Sequence, residues 1–269
     1  MAVISKITIQ KKNKERYNIF LDEEYAFSVD EAILISYNLR KGLEVTKEFL
    51  ADIVVEDHIR KGYQSAINYL SYRMRSVKEV QDYLRKKELE PEVVSKIVNR
   101  LIKEKYLNDN EYASAFVQTR LNLTLKGPES IKRELMEKGV GVAEIEESLQ
   151  LYSISEQLEK AVKFIKKKYP TKLKTSRMEQ DQKIHLQLVS NGFSHDIVKQ
   201  AFKIFNEEVE DEIDEEWDAI NYQGEKAFKK YRTVIGWEKN QKVKQYLYRR
   251  GFSFDLIEKF LDYYEGDGE

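Results

Sequence analysis

The 269-residue chain has no cysteine, three prolines and eleven glycines. Without cysteine there are no disulfide scaffolds, thiol nucleophiles or thiolate zinc sites, and a reducing compartment is the natural setting. Proline and glycine this scarce leave few obligatory turns, which favours helices. No window approaches the roughly 18 uninterrupted apolar residues of a membrane span. The start, MAVISKITIQ, also lacks the apolar core of a secretion signal, so a cytoplasmic protein with no membrane partner is expected. There is no glycine-rich phosphate loop, no HExxH and no cluster of His, Asp and Glu at ligand spacing. The three histidines, His58, His185 and His195, fall in different units or in surface-like contexts. The sequence therefore offers no catalytic residue, no metal site and no cofactor, and it predicts a protein that is not an enzyme.

What is present is charge. Hydrophobic residues make up 41% of the chain and charged residues 35%, against roughly 25% charged in an ordinary globular domain. An elongated chain of small units, each with a modest core and much solvated surface, accommodates that excess. The first residues differ from the rest. VISKITIQ (3–10) and YNIFLDEEYAFSV (17–29) are β-branched and aromatic with partial alternation, which predicts a β-hairpin or three-stranded ribbon. Ala32, Ile33, Ile35 and Leu39 then take helical spacing, with Lys41-Gly42 as the expected stop, and residues 46–61 continue helically.

An internal repeat decides the fold. KEVQDYLRKKELEPEVVSKIVNRL (78–101), ESIKRELMEKGVGVAEIEESLQLY (129–152), QKIHLQLVSNGFSHDIVKQAFKIF (182–205) and QKVKQYLYRRGFSFDLIEKFLDYY (241–264) align, with Leu84, Leu135, Leu188 and Leu247 in register at spacings of 51, 53 and 59 residues. Glu88, Gly139, Gly192 and Gly251 also correspond. Each glycine suits the left-handed position that ends a helix, and the next residue (Val140, Phe193 or Phe252) folds back onto it. Ser194 and Ser253 are placed to cap the helix that follows, and Pro91 and Pro128 suit first helical positions. Capping boxes are expected at Ser76 with Glu79 and at Asn108 with Glu111. Each unit opens with an apolar stripe: Tyr63, Ala66, Ile67, Leu70 and Met74; Tyr112, Ala115, Phe116 and Thr119; Leu158, Ala161, Val162 and Ile165; Ile220, Ala227, Phe228 and Tyr231.

The predicted fold is mainly α. Tandem three-helix repeats stack into an elongated curved rod, monomeric, behind a small N-terminal β-ribbon. The expected boundaries are 1–55 for the ribbon and a helix, 56–107, 108–153 and 154–206 for three repeats, and 207–269 for an acidic linker with the fourth.

The near-zero net charge of −1 hides a gradient. Residues 1–56 carry 8 basic and 10 acidic groups, 57–126 carry 14 and 9, 127–205 carry 14 and 11, and 206–269 carry 10 and 17. Two basic groups stand out. Arg73, Arg75 and Lys78 surround a helix junction in the first repeat, with Arg85 and Lys86 at the end of its second helix and Lys132 and Arg133 in the next repeat. These seven are the candidate partner-binding residues. KFIKKKYPTKLKTSRM (163–178) holds Lys163, Lys166, Lys167, Lys168, Lys172, Lys174 and Arg177 with interleaved aromatics and no acid, the composition a phosphate backbone attracts. The acidic segment Glu207–Asp218 is its opposite pole.

Three runs carry a family resemblance: AINYLSYRMRSVKEVQDYLRKK (66–87), NRLIKEKYLNDNEYASAFVQTRL (99–121) and KGPESIKRELMEKGV (126–140). An RxRS helix end before a capped helix, then YLND, then KG-x-x-x-I-x-x-EL-x-x-KG-[IV], resembles the RecX family of regulatory proteins, and the likeness extends over all four repeats and the ribbon. Two positions depart from its pattern, Glu129 and Asn110, although Asp109 and Glu111 keep the acidic character. The resemblance implies a non-enzymatic modulator of RecA, the recombinase that forms helical filaments on single-stranded DNA. Members lie in the filament groove and inhibit ATP hydrolysis, strand exchange and repressor cleavage. On that reading the seven candidate residues dock RecA through several weak contacts that sum by multivalency. The alternative is direct DNA binding through residues 163–178, independent of RecA.

Overall fold

A computed structural model describes residues 2–11, 13–208 and 213–266. Two compact units divide it: residues 1–113 with 135–145, and residues 114–134 with 146–269.

In the first unit, β1 (Ala2–Ile9), β2 (Arg16–Leu21) and β3 (Glu24–Asp30) form an antiparallel meander. The tight β2–β3 turn puts both Asp22 and Glu23 at positive φ, the geometry that matches strand twist in a two-residue hairpin. Helix α1 (Glu31–Ser36) follows, and β4 (Glu44–Val45) returns to pair with β1. The sheet order is therefore β3-β2-β1-β4, one short strand more than the expected ribbon. The short β4 escapes a reading based on alternation because two residues show no period. The stop of α1 also differs from expectation. Asn38 takes the left-handed position that ends α1, four residues before Gly42, which is itself at positive φ, and Leu39 N–H bonds to the Leu34 carbonyl at 2.9 Å. Asparagine tolerates this conformation, while Gly42 serves the sheet by donating to the Ile4 carbonyl at 2.8 Å.

Helix α2 (Lys47–Leu70) runs unbroken across the expected boundary at 55/56 and joins the sheet to the first repeat. Asp57, 3% exposed, is the joint: Arg16 donates to its two oxygens at 3.1 and 3.0 Å, Lys61 pairs at 2.8 Å, and Asp30 N–H donates at 3.0 Å. With α3 (Val77–Arg85) and α4 (Pro91–Lys103), the second half of α2 encloses Ala66, Val80, Leu84, Ile97 and Leu101. Met74 leaves the predicted stripe, because α2 ends four residues earlier and its side chain is exposed.

Helices α5 (Asp109–Leu123), α6 (Pro128–Glu137) and α7 (Val142–Leu149) belong to the second repeat, through which the division between units runs. The buried stripe of α5 is Tyr112, Ala113, Val117 and Leu121, two residues off the predicted Ala115 and Thr119, which are exposed. Alanine and threonine are equally at home on either face, so their spacing misled. In the second unit, α8 (Ile154–Lys168), α9 (Arg177–Ser190) and α10 (His195–Glu208) form the third repeat. The fourth comprises α11 (Ile213–Lys230), α12 (Trp237–Arg249) and α13 (Phe254–Gly266) around Ile220, Val243, Leu247 and Phe260. Part of the acidic segment, residues 209–212, lies outside the described residues.

The repeat signature has a common structural cause. Leu84, Leu135, Leu188 and Leu247 are all 0% exposed. Glu88, Gly139, Gly192 and Gly251 all adopt positive φ, at 61°, 77°, 93° and 82°. After each glycine the next N–H reaches back five residues: Val140 to Leu135, Phe193 to Leu188 and Phe252 to Leu247, at 3.1 to 3.3 Å. That is the Schellman stop.

Two substitutions test this account. Glu88→Gly removes the cost of a side chain in the left-handed region and is expected to stabilise the protein by about 1 kcal/mol. Gly192→Ala is expected to destabilise it by more than that, since an added Cβ lies 2.3 Å from the Ser130 backbone nitrogen as well as facing φ of +93°. Thermal melts of the two variants should move in opposite directions.

Candidate partner-binding surface

Successive second helices are joined end to start by one recurring contact. The Ser76 hydroxyl, fully buried, caps α3 by accepting from Glu79 N–H at 3.2 Å and donates to the carbonyl of Lys138 at 2.7 Å. Lys138 immediately precedes Gly139. In the second unit, the residues preceding Gly192 and Gly251 are held in the same way. Gly127 N–H donates to the Asn191 carbonyl at 2.9 Å, and the Ser176 hydroxyl donates to the Arg250 carbonyl at 2.5 Å while capping α9. A helix end leaves carbonyls unpaired and partly negative, and a helix start leaves N–H groups unpaired and partly positive. Setting one against the other satisfies both.

This latch explains where several candidate residues sit. Glu79 completes the capping box and receives Lys138 at 3.0 Å and Arg73 at 3.1 Å on one oxygen. Lys78 donates to the Glu137 carbonyl at 3.1 Å. Arg133 reaches Ser130 Oγ at 3.0 Å and the Ser190 carbonyl at 3.3 Å. Arg73, Lys78 and Arg133 thus help to join repeats while keeping exposed surface. Arg85 faces Asp82 at 3.4 Å and Lys132 faces Glu146 at 3.8 Å. Lys86 is exposed and, among the described residues, has no ion pair. The YLND motif finds its role here too: Asp109 accepts from Val77 N–H at 2.9 Å, adding a second acceptor at the start of α3. Burial pushes its carboxyl upward from the usual range.

Arg75 stands apart. Its guanidinium carbon lies over Tyr69, 4.1 Å from the ring centroid. Tyr69 stacks on Tyr83 with centroids 4.1 Å apart and planes 4° from parallel, and Lys87 lies over Tyr83 at 5.2 Å. The column Arg75–Tyr69–Tyr83–Lys87 places both cations on aromatic faces, where the ring quadrupole attracts them. Neither tyrosine stood out in the sequence, because their proximity depends on α2 and α3 packing against each other. Only the adjacency of YLSYRMR to a capped helix hinted at it.

In the second unit, the basic stretch 163–178 covers the end of α8, a loop and the start of α9. Lys166 pairs with Glu208 at 2.5 Å, Lys168 lies 5.9 Å from Phe164, and Arg177 donates to Asn206 at 3.0 Å. Lys163, Lys167, Lys172 and Lys174 are exposed and without an ion pair among the described residues. Leu173, 6% exposed, anchors the loop in the fourth repeat's core. His185 and His195, expected in different units or in surface-like contexts, meet at the exposed surface of the third repeat with Nε2 and Nδ1 3.1 Å apart. Among the described residues, no three His, Asp or Glu side chains cluster as metal ligands, and no helix is long and apolar enough to cross a membrane.

The fold and this surface define a tandem three-helix-repeat protein whose distinctive exposed chemistry is cations, several of them on aromatic rings. Comparison with known proteins makes the class particular. The model of the N-terminal domain of regulatory protein RecX matches residues 2–46, and those of the first and second RecX three-helix domains match 63–101 and 108–149. The third three-helix domain matches twice, over 155–202 and 214–261. Regulatory protein RecX of Halalkalibacterium halodurans is 43% identical, across 97% of this chain and 100% of its own. That of Bacillus subtilis is 44% identical, across 97% and 98%. A crystal structure of regulatory protein RecX matches with a TM-score of 0.65 at 34% identity, covering 76% of this chain and 100% of the other. RecX from Lactobacillus salivarius gives 0.54 at 37%, covering 56% and 98%. The chain belongs to the RecX family of regulatory proteins.

Two measurements probe the latch. Ser76→Ala and Ser176→Ala each remove a cap and leave a carbonyl unpaired, and each is expected to cost about 1–3 kcal/mol in urea unfolding. Burial alone would raise the Glu79 carboxyl, but Lys138, the Ser76 N–H and Arg73 outweigh it and hold the group below its usual range. A depressed folded value means stability that is present above the ordinary carboxylate pKa of about 4.3 and lost as pH falls through the folded value. Glu79→Gln should therefore be less stable than the parent at neutral pH and lose less stability on acidification.

Proposed function

We propose that this protein is a non-enzymatic regulator that binds RecA and occupies the groove of the RecA filament on single-stranded DNA. There it restrains ATP hydrolysis, strand exchange and co-protease activity. The observation that carries this reading is the latch. Within each unit it fixes adjoining repeats in a constant register, so that cations on different repeats are presented at fixed intervals. A partner that is itself a repeating assembly can engage such a surface at several points, and weak contacts held together by a rigid chain sum by effective concentration. Arg73, Arg75, Lys78, Arg85, Lys86, Lys132 and Arg133 are the proposed contacts. The near-full-length relatives named as regulatory proteins support the same reading.

A second reading is favoured by one observation: four lysines of the 163–178 stretch, Lys163, Lys167, Lys172 and Lys174, carry no ion pair among the described residues, as a direct contact to nucleic-acid phosphates requires.

One assay separates the two. With RecA, excess single-stranded DNA and this protein below RecA's concentration, the first reading expects a fall in DNA-dependent ATP hydrolysis that weakens as salt is raised. The second expects no fall, together with salt-dependent DNA binding by the protein alone. Replacing the four lysines with alanine should abolish that DNA binding and leave the effect on RecA in place.

A further inference from the structure

We propose that the corner between α2 and α3 is a docking site for an acidic, apolar-tipped segment of the partner protein, with Arg75 receiving its carboxylate. This rests on the reading of the protein as a regulator of another protein. Arg75 and Arg133 are the arginines of the first two repeats with no carboxylate of their own among the described residues, and Arg133 is instead bonded to Ser130 Oγ and the Ser190 carbonyl. Arg73 is held by Glu79, Arg85 by Asp82, Arg100 by Glu104 and Arg120 by Glu134. The Nε of Arg75 is buried and makes no hydrogen bond, so the polar capacity of the group is unspent.

The group is also fixed in place. Its charged end sits over the Tyr69–Tyr83 stack, which denies it the rotamer freedom of a surface arginine. The loop around it is tied down by Ser71, whose hydroxyl donates to the Asn68 carbonyl at 2.9 Å, and by Arg73, which reaches the Met74 carbonyl at 3.3 Å. A guanidinium held in place over a ring offers a fork of donors that matches a carboxylate, and little entropy remains to be lost when it binds.

Its neighbours select the class of partner. Tyr72 is 84% exposed and Met74 49% exposed, and both lie within the three residues that lead into Arg75. Aromatic residues, Met and Arg are enriched where proteins meet proteins, and anchors of this kind dominate such interfaces. A surface meant for phosphates resembles the 163–178 stretch instead, with flexible exposed lysines. Lys86 and Lys87 add positive charge at the far side of the column, which complements an acidic segment and repels a basic one.

The test uses the full chain. Binding to RecA filaments on single-stranded DNA would be measured for the parent, Arg75→Ala, Arg75→Lys and Tyr72→Ala, with melting temperatures as a control for folding. Arg75→Ala is expected to weaken binding by roughly tenfold or more, the range of a hydrogen bond to a charged group. Arg75→Lys should weaken it nearly as much, because an ammonium can neither stack nor fork. In parallel, the Nε–H resonance of Arg75 would be followed by NMR while adding a short peptide of alternating Asp and Phe, or a thymidine oligonucleotide. A shift with the peptide and not the oligonucleotide supports the proposal, and the reverse overturns it in favour of nucleic acid. If the parent binds filaments and Arg75→Ala binds equally well, the docking site is wrong while the regulatory reading stands. If the parent does not bind RecA, that reading falls, and the peptide titration alone decides the site: a shift keeps it and no shift overturns it.

Discussion

The contact on which the architecture depends is the meeting of a helix end with the start of the equivalent helix one repeat earlier. One partner is a carbonyl that a helix end leaves unpaired, and the other is a donor at a helix start, the capping hydroxyl of Ser76 or Ser176 or the N–H of Gly127. This also explains the glycine column. At Gly139, Gly192 and Gly251 an added Cβ would strike Lys78, Ser130 or Ser176 of the preceding repeat, so space as well as φ demands glycine. The corresponding residue in the first repeat is Glu88. No repeat precedes it, its side chain is exposed, and the position keeps the left-handed turn without the need for close approach.

The latch also determines what the cations do. A protein with 46 basic and 47 acidic side chains has ample material for indiscriminate surface pairing, and most such exposed pairs contribute little. The pairs around Glu79 and Glu134 differ because they are partly buried and shared. Glu134 receives Arg120 at 2.7 Å and also Lys126, and Glu79 receives Arg73 and Lys138. Cations that lie close together in the sequence therefore have unlike roles. Arg73 stabilises a junction, and Arg75, two residues on, lies over an aromatic ring and has no acidic partner among the described residues. On the proposed reading, a regulator that works by binding needs rigid presentation more than reactive chemistry, and the same short loop supplies both the joint and the presented group.

Much of this was legible in the chain itself. The register of Leu84, Leu135, Leu188 and Leu247, the glycine stops with their fold-back residues, the capping serines and the β-rich start all reflect local rules, in which a residue's neighbours within one helical turn decide its role. So did the family resemblance, which rests on RxRS, YLND and the KG motif. Errors arose where local rules are indifferent. Alanine and threonine do not declare a face in α5, a two-residue strand shows no period, and either Asn38 or Gly42 can end a helix.

The sequence by itself determined four diverged helical repeats behind a β-rich segment, with charge concentrated in opposite senses along the chain. It determined this because periodicity, caps and stops are short-range and survive divergence. Tertiary structure decided which charges are used up and which are offered. Arg75, Tyr69 and Tyr83 become one column only when α2 packs on α3, and Ser76 meets Lys138 across 62 residues of chain. Burial and pairing are properties of what surrounds a side chain in space, and no window of neighbouring residues contains that information.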